Sequence, residues 1–232
     1  MKTAILVDGG FYRKRAFKLW GDKLPKERTT ELFEYCLSHL NIQETKQETQ
    51  CSLYRIFYYD CKPISKKVFH PLTRQTIDLG KSDTFKWTND FFEELKKKRK
   101  VAIRLGELSE SSAKYILSSE ITKKLFNNEI NLTDISEEDF VFRANQKGVD
   151  MKIGLDIASL AYKQQVDQII LISGDSDFIS AAKLARREGI DFILDPMWAE
   201  IKPNLAEHVD GIMSPTRNPK DPTKSRRTRW NY

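Results

Sequence analysis

Cysteine and histidine are scarce in this 232-residue chain, with three of each: Cys36, Cys51 and Cys61, and His39, His70 and His208. An odd number of cysteines without CxxC spacing argues against a disulfide framework and a zinc site, and leads us to expect a reduced, cytoplasmic protein. No apolar run reaches the roughly 18 residues of a membrane span. The opening run, Met1 to Val7, is too short for a signal peptide, and Asp8 interrupts it. There is no GxxxxGK(S/T) phosphate loop, and Asp8-Gly9-Gly10 lacks the third glycine of a dinucleotide site. Apolar and aromatic residues are plentiful: 40% of the chain is hydrophobic, with 13 Phe, 8 Tyr and 4 Trp. Such a chain buries a core, and wholesale disorder is excluded.

Positive charge is unevenly placed. The formal net charge is +6, from 39 Lys and Arg against 33 Asp and Glu. Residues 214–232 hold Arg217, Lys220, Lys224, Arg226, Arg227 and Arg229 against Asp221 alone, so this tail supplies five of the six charges. With Pro215, Pro219 and Pro222 and no apolar periodicity, it reads as a basic disordered tail. Residues 1–213 read as one domain.

Hydrophobic periodicity predicts strands over Thr3–Val7, Leu53–Tyr59, Val101–Leu105, Gln168–Ile172 and Ile190–Leu194. Helices are expected over Phe11–Trp20, Thr30–Leu40, Asp90–Lys98 and Phe178–Glu188, with Gly189 stopping the last. Val149, Ile153, Ile157, Leu160 and Ala161 form one helical stripe. Residues 109–139 are the least regular and read as an insertion with a helix over Ala113–Phe126. The alternation implies βαβ units around a mostly parallel sheet flanked by helices.

In such a sheet, ligands gather at the carboxyl ends of the strands. Two apolar strands here run into acid-bearing, glycine-containing loops, Leu6-Val7-Asp8-Gly9-Gly10 and Leu171-Ile172-Ser173-Gly174-Asp175-Ser176-Asp177-Phe178. Asp150, in Lys147-Gly148-Val149-Asp150, is a third acid that can reach the same edge. Clustered carboxylates repel one another unless a cation neutralises them, and oxygen donors without His or Cys suit Mg²⁺ or Mn²⁺. Each Asp has a plain alternative as a helix cap, Asp177 for the Phe178 helix and Asp150 for its own, but capping alone poorly explains three such loops. Asp156 lies roughly 120° around the helix from Asp150 and takes a secondary role. A dehalogenase-like aspartyl phosphatase would need a second acid two residues after Asp8, where Gly10 stands.

Ile5 to Phe11, Tyr54 to Asp60, Lys147 to Asp150 with Asp156, and Ser173 to Phe178 together resemble the NYN domain, in its LabA-like branch, within the PIN-like nucleases. The resemblance runs over about residues 1–195 and is weakest at 109–139. It implies a Rossmann-like, PIN-like fold and Mg²⁺- or Mn²⁺-dependent hydrolysis of RNA phosphodiester bonds. By motif position, Asp8, Asp150, Asp175 and Asp177 match the family's catalytic, metal-binding acids. Gly10 stands where many members carry Asn, a departure that leaves the acids intact and bears on one polar contact to water or substrate.

An acidic site repels a polyanion, so binding must come from cations and hydroxyls. Candidates are Arg13 and Lys14 on the first helix, Lys147 and Lys152 beside Asp150, and Arg226 and Arg227 in the tail. Ser173 and Ser176 either donate to a phosphate or satisfy the turn. RNA is the expected partner, ahead of DNA; a protein partner or a second copy is not readable. The alternative is a non-cleaving nucleic-acid- or partner-binding module on the same fold.

Overall fold

The computed structural model describes residues 1–41, 51–221 and 228–230. Lys2–Asp8 forms β1, whose Ala4 to Val7 are fully buried, as an unbroken apolar run demands of a strand covered on both faces. Then come α1 (Gly9–Trp20), capped by Asp8, and α2 (Pro25–Ser38), where Pro25 presets a helical φ at a position needing no N–H partner. Along the chain follow β2 (Ser52–Cys61), β3 (Lys67–Phe69), β4 (Thr76–Asp78), α3 (Asp83–Lys96) and β5 (Val101–Leu108). Next are β6 (Lys114–Leu117), α4 (Ser119–Phe126), β7 (Phe140–Arg143) and β8 (Gln146–Lys147). The last stretch contains α5 (Val149–Tyr162), β9 (Gln168–Ile172), α6 (Ile179–Arg187), β10 (Asp191–Asp195), α7 (Pro203–Ala206), β11 (Gly211–Met213) and β12 (Thr228–Trp230).

The chain divides into two compact units. The first comprises Met1–Asp60, Asp90–Gly106 and Gly148–Tyr232. Its strands lie in the order β12-β11-β10-β9-β1-β2-β5. β1 pairs in parallel with both β2 and β9, β9 with β10, and β10 with β11. Numbered by appearance, β5-β2-β1-β9-β10-β11 is the doubly wound order 3-2-1-4-5-6, in which the winding reverses between β1 and β9. The fold is therefore α/β and Rossmann-like, with a mostly parallel sheet flanked by helices. In α5 the five stripe residues from Val149 to Ala161 are buried, as their spacing predicts. No described helix is long and apolar enough to cross a membrane.

The second unit comprises Cys61–Asn89 and Glu107–Lys147, so it is wider than the insertion expected at 109–139. The reason is packing: the buried His70 ring, just after β3, lies against Tyr115 of β6 and Phe140 of β7, knitting the two segments together. The single helix expected over Ala113–Phe126 is also corrected. Residues 114–117 pair with β7 as a strand, and Ser118 then caps α4 by accepting from the Ile121 amide. The basic tail differs from expectation too. Ser214 and Pro215 are buried, and Thr228–Trp230 pairs antiparallel with Gly211–Met213. Such pairing satisfies the backbone groups of a sheet edge and needs no apolar pattern from the strand that is added. Arg226 and Arg227 fall outside the described residues.

Candidate functional site

The winding reversal places the end of β1 beside the end of β9, so Asp8 and the 173–178 loop meet at the carboxyl edge of the sheet. Asp8 serves as the N-cap of α1. Its Oδ1 accepts from the Phe11 amide at 3.1 Å, and its Oδ2 accepts from the Ser173 hydroxyl at 3.2 Å. Ser173 is fully buried, and its Oγ also accepts from the Asp175 amide at 3.3 Å, so one hydroxyl joins both acidic loops. Asp175, rather than Asp177, caps the 3-10 turn Ser176–Phe178 by accepting from the Asp177 amide at 3.0 Å.

Two glycines are fixed by close approach within the fold. A Cβ at Gly9 would stand 2.6 Å from the Tyr58 ring and from the Tyr59 carbonyl oxygen, and one at Gly174 would stand 2.9 Å from the Phe11 ring. Both glycines let the two loops lie against neighbouring aromatic residues.

Asp150 lies in the first turn of α5 but does not cap it; the N-cap is Gly148, in the left-handed region. Its carboxyl is held above the ordinary range by desolvation and then by the charges of Asp175 and Asp177. Burial raises the Asp8 carboxyl as well, with Asp150 and Asp60 adding to it, while the Phe11 and Ser173 hydrogen bonds oppose the rise. The four acids singled out from the sequence thus share one electrostatic neighbourhood. Their donor chemistry, all hard oxygen, fits Mg²⁺ or Mn²⁺. Among the described residues, however, no three His, Cys, Asp or Glu side chains are drawn together closely enough to hold an ion as placed.

Several candidates are engaged elsewhere. Arg13 pairs with the buried Asp60 at 2.9 Å, and Tyr58 donates to the same carboxylate at 3.0 Å. Asp156 accepts from Tyr59 at 2.7 Å and from Arg104 at 3.2 Å, which removes it from the cluster. Lys14 and Lys152 are exposed, and Lys147 belongs to the second unit, paired with Glu107 in the β8 ladder. Ser176 does not serve the turn through its hydroxyl, which accepts from Lys202 at 3.2 Å.

Sequence reasoning did not assign roles to Asp60, Asp195 or Lys202. The signal for the first two was present: β10 is a further apolar strand ending in Asp, and β2 carries Asp60 next to its last residue. A separate open cavity of about 600 Å³, lined by Trp20, Lys23, Glu27, Tyr35 and Thr216 among others, holds none of the four acids.

A family model, the NYN domain, matches residues 81–208, more than half of the chain. The chain belongs to the NYN domain family. NYN is a domain of the PIN-like nuclease superfamily. The matched segment of this NYN chain contains Asp150, Asp175 and Asp177, and Asp8 precedes it. No curated protein matches. A Vibrio parahaemolyticus protein of unknown function, known from its crystal structure, is similar over 91% of this chain and 90% of its own, at 15% identity and a TM-score of 0.42.

Proposed function

We propose that this NYN chain is a metal-dependent ribonuclease, in the LabA-like branch of its family, that hydrolyses phosphodiester bonds at the carboxyl edge of its sheet. The observation that carries the reading is the pair of raised carboxyls at this edge of the sheet: Asp8 feels the charge of Asp150, and Asp150 feels those of Asp175 and Asp177. In this reading Asp8 and Asp175 are the principal ligands of Mg²⁺ or Mn²⁺, Asp150 completes the set, and Asp177 holds a second ion, a water or the loop. A divalent ion held there supplies a nucleophilic water at neutral pH and neutralises charge developing on the phosphate.

The protein's own share is positional. Ser173 accepts from the Asp175 amide while donating to Asp8, so one hydroxyl links the two acidic loops. Phe11 lies over Gly174 and narrows the approach to the loop. Lys152 and Lys14 stand as exposed cations for the strand, and Arg226 and Arg227 are further candidates by sequence alone. Arg13, held by Asp60, is left with an orienting part. A reducing, cytoplasmic location belongs to the same reading.

The capping duties of Asp8 and Asp175 favour a second reading, a non-cleaving RNA- or partner-binding module. Incubation with labelled single-stranded RNA and DNA in Mn²⁺, Mg²⁺ or EDTA separates the two. Metal-dependent RNA cleavage that is lost in Asp175→Asn and kept in Asp156→Asn supports the nuclease. RNA bound equally well in EDTA and left intact by wild type supports the module.

A further inference from the structure

We propose that Lys202, together with the Ser176 hydroxyl it holds, forms a phosphate-binding subsite that takes one phosphodiester of a bound RNA strand beside the acidic loop. This deepens the ribonuclease reading and rests on it.

Three arginines of the first unit are spent within the fold. Arg13 is on Asp60, Arg104 on Asp156, and Arg15 donates from Nε to the Met197 carbonyl at 3.1 Å. Lys202 differs: its ammonium donates to Ser176 Oγ at 3.2 Å and makes no ion pair among the described residues. Ser176 sits between Asp175 and Asp177, so the positive charge stands against the acidic loop itself. An ammonium has three donors, and a hydroxyl that accepts one of them still has its own proton to give. Two donors and a point charge at one spot match a phosphodiester oxygen, for which lysine is a suitable partner.

Lys202 is delivered there by a segment held at both ends. β10 ends in Asp195, a fully buried carboxylate that accepts from Tyr35 at 2.6 Å, the Met197 amide at 2.7 Å and Ser214 at 2.8 Å, with His39 Nε2 at 2.9 Å. Burial and the Asp195 charge hold the Tyr35 phenol well above its ordinary range, so it remains a donor. Met197 and Trp198 then take φ values of 45° and 58°, a left-handed pair that residues with a Cβ rarely adopt. Such strain persists only where the surroundings over-determine it, and it concentrates at functional sites. Here Asp195 fixes the Met197 amide, Ser214 accepts from the Trp198 amide at 3.3 Å, and Leu205 of α7 is buried beyond Lys202.

The test compares wild type, Lys202→Met and Lys202→Arg as full chains of equal melting temperature. Each is assayed for binding to labelled single-stranded RNA in EDTA across a salt series, and for cleavage in Mn²⁺. Lys202→Met is expected to weaken binding about two- to fivefold, the scale of one exposed ion pair, and to flatten the log-affinity against log-salt slope by about 0.7. KM rises in proportion, kcat stays within about twofold, and Lys202→Arg recovers both. An unchanged affinity and salt slope in Lys202→Met overturns the subsite, as does a fall in kcat at constant KM. If wild type cleaves and the Met variant matches it, the subsite falls and the nuclease stands. If wild type binds without cleaving and the Met variant loses affinity and slope, the nuclease falls and the subsite stands. Wild type that neither binds nor cleaves RNA overturns both.

Discussion

Asp8→Asn separates a capping carboxylate from a metal-binding one through stability rather than activity. The substitution keeps the Oδ1 that accepts from the Phe11 amide, and Asn caps a helix about as well as Asp, so the cap itself contributes almost nothing to the difference. What changes is the charge and the contact with Ser173, whose buried hydroxyl donates to Oδ2 at 3.2 Å and loses that acceptor at every pH. The Asp8 carboxyl is raised in the folded chain above its ordinary 3.8, through burial and then through Asp150 and Asp60. A group whose folded pKa is raised favours the fold fully below the unfolded value, and that contribution is lost as pH rises through the folded value. At neutral pH in EDTA the ionised Asp8 therefore costs stability, and Asp8→Asn should gain about 1 kcal/mol relative to wild type between about pH 4 and pH 7, the usual scale for relieving a functional-site charge. That is about 2–4 °C in Tm for a chain of this size. Below about pH 4 this relative gain should vanish. Adding Mn²⁺ at about a hundred times its Kd should stabilise wild type by about 2.7 kcal/mol, or 5–10 °C, and shift the variant far less. Calorimetry at about pH 4 and pH 7 in EDTA, then at pH 7 with Mn²⁺, reads both halves. A difference in Tm between the two proteins that is the same at both pH values, or an equal Mn²⁺ shift in both proteins, refutes the reasoning.

Gly9→Ala places a Cβ 2.6 Å from the backbone oxygen of Tyr59 and from the Tyr58 ring, neither of which can swing away cheaply. A loss of about 3 kcal/mol in urea unfolding is expected, and a loss under 1 kcal/mol would show that α1 shifts without cost. Arg13→Met removes the guanidinium that stands 2.9 Å from the buried Asp60 carboxylate and should cost about 3–5 kcal/mol. Asp60→Asn added to Arg13→Met should recover most of that, so strict additivity in the double-mutant cycle would contradict the pairing.

Periodicity was enough to read the elements that frame the site. β1 and β9 are unbroken apolar runs, and the α5 stripe repeats at helical spacing, so hydrophobicity alone specifies both the element and its buried face. Gly189 stops the helix of residues 179–187 through its positive φ of 81°, again a local cause. The second unit was poorly legible because β3, β4, β6 and β7 are only three or four residues long, too short for a period to register. Lys114–Leu117 reads equally as the start of a helix until Ser118 caps α4 and Phe140–Arg143 supplies a strand to pair with. Ion pairing was the least legible of all. Arg13 and Asp60 are 47 residues apart, and nothing local distinguishes an arginine bound to a buried acid from one open to a phosphate.

The carboxylates at this edge of the sheet differ in how completely the protein provides for them. Asp195, deep at the end of β10, accepts from Tyr35, Ser214 and the Met197 amide and lies against His39. Asp60, at the end of β2, has a guanidinium and a phenol. Asp8 has one amide and one hydroxyl, Asp175 one amide, and Asp150 accepts no hydrogen bond among the described residues. Provision thus falls from the outer strands towards the point where the winding reverses, and the carboxyls it leaves short include the two, Asp8 and Asp150, whose proton affinity is raised. A fold that only needed helix caps at β1 and β9 could use Ser, Thr or Asn and avoid the repulsion. In the proposed reading, the ionisable groups kept there at a cost in stability are those whose missing counter-charge a bound cation would supply.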